Sequence, residues 1–141
     1  DKLPKIANLF NRDGGPEPPV GISVPQAMYD DFVKISEPIQ KIRPDYPFEV
    51  KVREPRKRPT RMGGTDASVF AIEGVPTLGF TTEDFKGYDF DYGEIWHTER
   101  DLYTKNIPEY QEHTATVTAI IALGVANLDK QLSREGLYTE E

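Results

Sequence analysis

Val20-Gly21-Ile22-Ser23-Val24-Pro25-Gln26-Ala27-Met28-Tyr29-Asp30-Asp31-Phe32-Val33-Lys34-Ile35-Ser36-Glu37-Pro38-Ile39-Gln40-Lys41-Ile42 changes character at its proline. Val20 to Val24 reads as a short strand. Pro25 suits the first turn of a helix, where its fixed φ is already helical and no backbone donor is needed. Met28, Phe32, Ile35, Ile39 and Ile42 then recur at i, i+4, i+7, i+11 and i+14, which puts them on one buried stripe. A strand running directly into an amphipathic helix is the unit from which layered α/β domains are built. Pro38 falls inside that helix and removes one of its hydrogen bonds, so a kink or break is expected there.

Working outward, Ile6 to Phe10 reads as another buried strand, stopped by Asn11-Arg12-Asp13-Gly14-Gly15-Pro16. Asp13 is then placed at a strand end, the rim where α/β sheets bind ligands. The alternative for Asp13 is an Asx turn. Downstream, Phe48 to Val52 alternates as a strand with one wet face does. Residues 53–62 form a basic loop, with Arg53, Arg56, Lys57, Arg58 and Arg61 in an acidic chain. Such a run either grips an anionic group or is simply solvated and mobile. Gly63-Gly64-Thr65-Asp66 leads into a short helix, Ala67 to Ile72, with Thr65 or Asp66 as its cap. Asp66 is equally a candidate for a site. Gly74 stops the helix and Val75 to Phe80 reads as a strand. Phe85 to Tyr92 is an aromatic loop that lines a pocket or packs on the core.

Asn106-Ile107-Pro108-Glu109 has the cap, first-turn proline and glutamate of a helix start. The helix is expected to reach about Leu132, burying Val117, Ile120, Ile121, Val125, Leu128 and Leu132, with His113 on its surface. Residues 134–141 read as a loose tail. About four strands result, fewer than the ~5–6 of an average sheet.

Composition narrows the function. The 141 residues are 37% hydrophobic and 29% charged, enough to bury one domain's core. A net charge of −7 argues against nucleic acid or an anionic membrane as partner. Without cysteine there are no disulfides and no thiolate metal ligands. The most apolar run, Ala119 to Ala126, is far shorter than the ~20 residues of a membrane span. The chain opens on Asp1 rather than Met, as a processed product or a fragment does. The stretch with the most chemistry is Glu94-Ile95-Trp96-His97-Thr98-Glu99-Arg100-Asp101-Leu102-Tyr103, which holds one of the two histidines. His97 falls in a connecting segment, where metal ligands and catalytic bases are usually mounted.

These pieces in order resemble a known family. Asp13 at a strand end, Gly64-Thr65-Asp66-Ala67-Ser68-Val69-Phe70, Gly74-Val75-Pro76, Trp96-His97-Thr98 with Asp101, and a long C-terminal helix resemble the co-catalytic di-zinc aminopeptidases. That family includes carboxypeptidase Q and glutaminyl cyclase. The resemblance runs from about Lys5 to Leu132 and matches the C-terminal half of a family domain. It implies a partial α/β/α layered mixed sheet of the zinc-exopeptidase type, with residues 1–141 as the C-terminal part of one catalytic domain. It implies His97 as the last zinc ligand, Asp13 as a ligand of the other zinc, and Asp66 as the nearby acid that orients metal ligands. Trp96 and Thr98 would flank the substrate pocket. The chain departs from the family at Ala67, where a histidine is usual, and at Trp96, where many members have Tyr or Phe.

The family's first zinc histidine, bridging aspartate, zinc-binding glutamate and general-base glutamate lie upstream of the matched region, and no segment here matches them. A catalytic zinc needs about three protein ligands plus water. The chain alone is therefore expected to hold zinc weakly or not at all and to supply no catalytic residue. The implied function is a zinc-dependent aminopeptidase, extracellular or periplasmic, acting on the N-terminal bond of a peptide substrate. The implied partner is the upstream half of the domain or a second copy of the chain. Two alternatives stand beside it: a glutaminyl cyclase-like acyltransferase and a non-enzymatic α/β binding module.

Overall fold

A computed structural model describes residues 2–139. Its centre is β1 (Pro19–Val24), followed by a 3-10 turn at Gln26–Met28 and by α1 (Tyr29–Ile42). β2 (Glu49–Val52) returns parallel to β1, so α1 is a crossover helix. Then come α2 (Ala67–Ile72), β3 (Phe80–Thr82), α3 (Tyr92–Ile95) and α4 (Pro108–Ala126). β3 pairs antiparallel with β1, giving a mixed sheet of three strands in the order β2-β1-β3. Over the described residues the fold is thus mixed α/β, with four α-helices and a small sheet.

Register decides which residues the sheet buries. Ile22 lies opposite Val50 on one side and Phe80 on the other, and Val24 lies opposite Val52. Ile22 and Val24 join Phe32, Ile35 and Ile39 of α1 and Val117 and Ile121 of α4 in one buried cluster. Burying each such side chain is worth about 1.5–3 kcal/mol. β1 approaches its neighbour so closely that a Cβ at Gly21 would collide with the carbonyl oxygen of Glu49.

Several expectations are corrected. Pro38 does not break α1, which runs through it as one 14-residue helix. Its buried stripe of Phe32, Ile35 and Ile39 holds both sides of the proline against the core. Ile6 to Phe10 is no strand. Leu9 N–H donates to the Pro76 carbonyl at 2.9 Å, but the neighbouring pairing is made by a side chain: Asn8 donates to the Leu78 carbonyl and accepts from its N–H. Val75 to Gly79 likewise forms no ladder, and only Phe80 to Thr82 of the expected strand region pairs as a strand. Three strands form where about four were expected.

α2 starts where expected, but Asp66 makes no capping bond; the Thr65 carbonyl takes the Ser68 N–H instead. Gly74 stops the helix at φ +74°, a left-handed position that favours glycine. α4 ends at Ala126, short of Leu132, because Asn127 turns its side-chain amide onto the Leu123 carbonyl. Leu132 still reaches the core from the following turn. The segment from Arg134, expected to be loose, carries buried Leu137, and Thr139 N–H pairs with the Arg56 carbonyl. Residues 140 and 141 of that expected tail lie outside the described residues. α1 and α4 pack on each other and on the sheet, whereas neither α2 nor α3 packs extensively on a strand. The second helical layer implied by the resemblance is thus not part of this packing.

Candidate functional site

A cleft of about 960 Å³ collects residues from four separate stretches of sequence. Asp13 enters from the turn after the Ile6–Phe10 segment, Asp66 from the start of α2, Trp96 and His97 from the end of α3, and Asp101 from the loop beyond. Of the five residues expected at a site, Asp13, Asp66, Trp96 and His97 line this cleft together. Thr98 does not. Its hydroxyl donates to the Glu94 carbonyl at 2.8 Å and accepts from Arg100 N–H at 3.2 Å, closing the turn from below.

Local bonds explain how the walls are held. Tyr92 donates its hydroxyl to the Asp13 carbonyl at 3.1 Å, tying α3 to the 11–15 turn. Asp91 caps α3 by accepting from Gly93 N–H at 2.8 Å. Just after α3 the backbone turns sharply, and His97 adopts φ +56°, a left-handed conformation uncommon for a side chain other than glycine. The Trp96 and His97 ring centres are 4.5 Å apart. Trp96 is 57% exposed and Tyr103 91% exposed, so the cleft presents aromatic surface beside the charged Arg12, Asp13, Asp66, Asp101 and Lys105. Tyr92, Asp101 and Tyr103 were not singled out as site residues. The aromatic loop and the Asp101 of the family-like motif were the available signals.

The Asp13 carboxylate is already engaged, with Oδ2 accepting from the Asn11 amide at 2.6 Å. Among the described residues no group of three or more His, Cys, Asp or Glu side chains is arranged to hold a metal ion. The residues present therefore do not fit a catalytic zinc by themselves, which needs about three protein ligands and a water.

A second polar cluster lies at the start of α4. His113, expected at the surface, is fully buried, because it shares the stripe of Tyr110, Val117 and Ile121. Its ring stacks on Tyr46 at 3.9 Å, and Nε2–H donates to the Pro19 carbonyl at 3.0 Å. Nδ1 is buried without a partner. Burial lowers the pKa of His113, with the Arg43 and Lys86 charges acting in the same direction. Around it Glu109 accepts from the Tyr46 hydroxyl at 3.0 Å, from Lys86 at 2.6 Å and from the Tyr88 hydroxyl. The Tyr110 hydroxyl donates to Asp84 at 2.6 Å, and burial followed by that carboxylate pushes its pKa up to about 12. This network joins the α1–β2 connection to α4 and has no part in the cleft.

Comparison of the chain with protein-family models, with curated proteins and with solved structures returns no match.

Proposed function

We propose that this chain forms one side of the substrate cleft of a zinc-dependent exopeptidase that removes N-terminal residues from peptides outside the cytoplasm. His97 and Asp13 would each serve a different zinc, Asp66 would orient the ligands, and a segment not in this sequence would bring the remaining donors and the general base. The observation that supports this reading is the meeting of Asp13, Asp66, His97 and Asp101 in one cleft, although ~30 to 50 residues separate the first three in sequence. The carboxylates suit a protonated amino terminus, and the exposed Trp96, Leu102 and Tyr103 suit an apolar side chain beside it.

The test uses the longest reading frame that contains this sequence, purified with its native metal and assayed on aminoacyl-nitroanilides. His97→Ala and Asp13→Ala are expected to lower turnover by at least on the order of 10–100-fold, the loss seen even for residues that only support a metal ligand. The 141-residue chain alone is expected to show no turnover with added zinc. Unchanged turnover in both variants, or clear zinc-dependent turnover by the chain alone, overturns the reading.

A further inference from the structure

A second pocket, of about 420 Å³, lies between the 9–14 segment, Ser23 of β1, Arg56, the start of α2 and the 77–81 segment. Ser23 and Thr81 line it together with Leu78 and Phe80. Two arginines join them. Arg56 comes from the basic loop and Arg12 from the turn that carries Asp13. Arg56 is held by its backbone: its N–H donates to the Leu137 carbonyl at 3.3 Å and its carbonyl accepts from Thr139 at 2.9 Å. No hydrogen bond or ion pair occupies its side chain among the described residues. Arg12 is braced by Nη2 donating to the carbonyls of Gly15 at 2.8 Å and Glu17 at 2.5 Å. Asp13 is the one carboxylate on the lining, and its Oδ2 is taken by Asn11.

This pocket and the first cleft share a wall formed by Arg12, Asp13 and Thr65. Beyond it the cleft adds Asp66, Asp101 and Lys105, whereas the pocket adds Arg56 and the hydroxyl-bearing Ser23, Thr77 and Thr81. With the shared Arg12 and Asp13 counted on both sides, the formal charge of the lining changes sign across that wall, from −1 in the cleft to +1 in the pocket. A short zwitterionic peptide has the matching reversal, an ammonium at one end and a carboxylate at the other. Arginine is suited to the carboxylate end, because its planar fork can donate two parallel hydrogen bonds.

We propose that Arg12 and Arg56 form a carboxylate-binding site that takes the free C-terminus of a di- or tripeptide whose amino end lies in the neighbouring cleft. The peptide assignment rests on the exopeptidase reading; the carboxylate site does not. Two arms separate them. In the first, the ¹⁵N-labelled chain is titrated with sodium acetate and, in parallel, with inorganic phosphate, against sodium chloride of equal ionic strength. Saturable acetate shifts are expected at the amides of Gly14, Gly79 and Thr81, and are expected to vanish in Arg56→Ala. Arg56→Lys keeps the charge but not the fork and is expected to weaken acetate on the order of tenfold. Thermal melts monitored by circular dichroism establish that each variant is folded. Absence of saturable shifts in the wild type, or shifts that survive in Arg56→Ala, overturns the site.

In the second arm, the parent reading frame is assayed with Leu-Gly-Gly and with its C-terminal amide. The free acid is expected to have a KM lower by on the order of tenfold, a preference lost in Arg56→Ala. Equal KM values, or phosphate binding more tightly than every carboxylate tested, overturn the peptide assignment. Loss of all peptidase activity in that frame refutes the exopeptidase reading and leaves the acetate arm to decide the site.

Discussion

The two histidines differ in what their backbones and surroundings ask of them, and each yields a measurement. His97 holds φ +56° at the mouth of the cleft. A left-handed conformation costs a residue with a Cβ roughly 1–2 kcal/mol, and glycine escapes it. Part of that gain is returned by the extra freedom of glycine in the unfolded chain, ~0.5–1 kcal/mol. His97→Gly is therefore expected to be more stable than His97→Ala by about 0.5–1 kcal/mol in urea denaturation. Equal stability of the two variants would mean that the backbone there is not left-handed in solution. His113 is the opposite case, a buried neutral ring with one bonded nitrogen and one unpartnered nitrogen. Its folded pKa lies below the ordinary value of 6.5. As pH falls through about 6.5 the unfolded chain takes up a proton that the folded chain refuses, so stability is full above that pH and declines below it. Arg43 and Lys86 would face the added charge, while Asp45 opposes them weakly. Urea denaturation at pH 8 and pH 5.5 is expected to show lower stability at pH 5.5, with a smaller difference in His113→Phe. Stability that is unchanged or higher at pH 5.5 would refute the buried neutral ring.

Helix α1 meets α4 where Ile35 presses on Gly124, and a Cβ added to Gly124 would collide with both γ-carbons of Ile35. Two effects compete in Gly124→Ala. Helix propensity favours alanine by ~1 kcal/mol. Overpacking against a stiff β-branched side chain costs ~1–3 kcal/mol. The clash is expected to win, so Gly124→Ala lowers stability in the wild type but raises it in an Ile35→Ala background. A double-mutant cycle measures this directly; the same sign in both backgrounds would place the helices farther apart than the structure does. The elements that were legible in sequence are those whose own pattern and tertiary role agree: β1, α1, β2, α2 and the Gly74 stop. What escaped was made by groups the pattern does not weigh. The Asn8 side chain replaces the backbone partner that Ile6 to Phe10 lacks, and Asn127 ends α4 before its apolar residues run out. His113 looked like surface because histidine is polar, yet its spacing to Tyr110 and Val117 already placed it on the buried stripe. The cleft was legible through Asp13, Asp66, Trp96 and His97, but the arginine pocket behind it was not. Nothing in the basic run told Arg56 from its neighbours before the C-terminal segment paired with it.

At the scale of the whole molecule, accessible area is the informative quantity. The chain exposes 9186 Å² at 16.0 kDa. A compact monomer of that mass exposes about 7,400 Å². The excess of roughly 1,800 Å² is about twice the ~800 Å² that one partner contributes to an interface of standard size. Apolar groups form part of the exposed surface. Trp96, Leu102 and Tyr103 stand out around the cleft, and Val52 is exposed on β2, the strand at one edge of the sheet. Apolar surface concentrated beside a concave site favours covering it, since each Å² removed from water contributes about 25 cal/mol. For the purified chain the available cover is a second copy of itself. Light scattering at tens of micromolar is expected to give a mass above 16.0 kDa that falls on dilution. Leu102→Asp places a charge in that apolar surface and is expected to shift the mass toward the monomer, while circular dichroism stays unchanged. A mass of 16.0 kDa at every concentration would show that the extra area is simply solvated. An oligomer that ignores Leu102→Asp would move the contact away from the rim of the cleft.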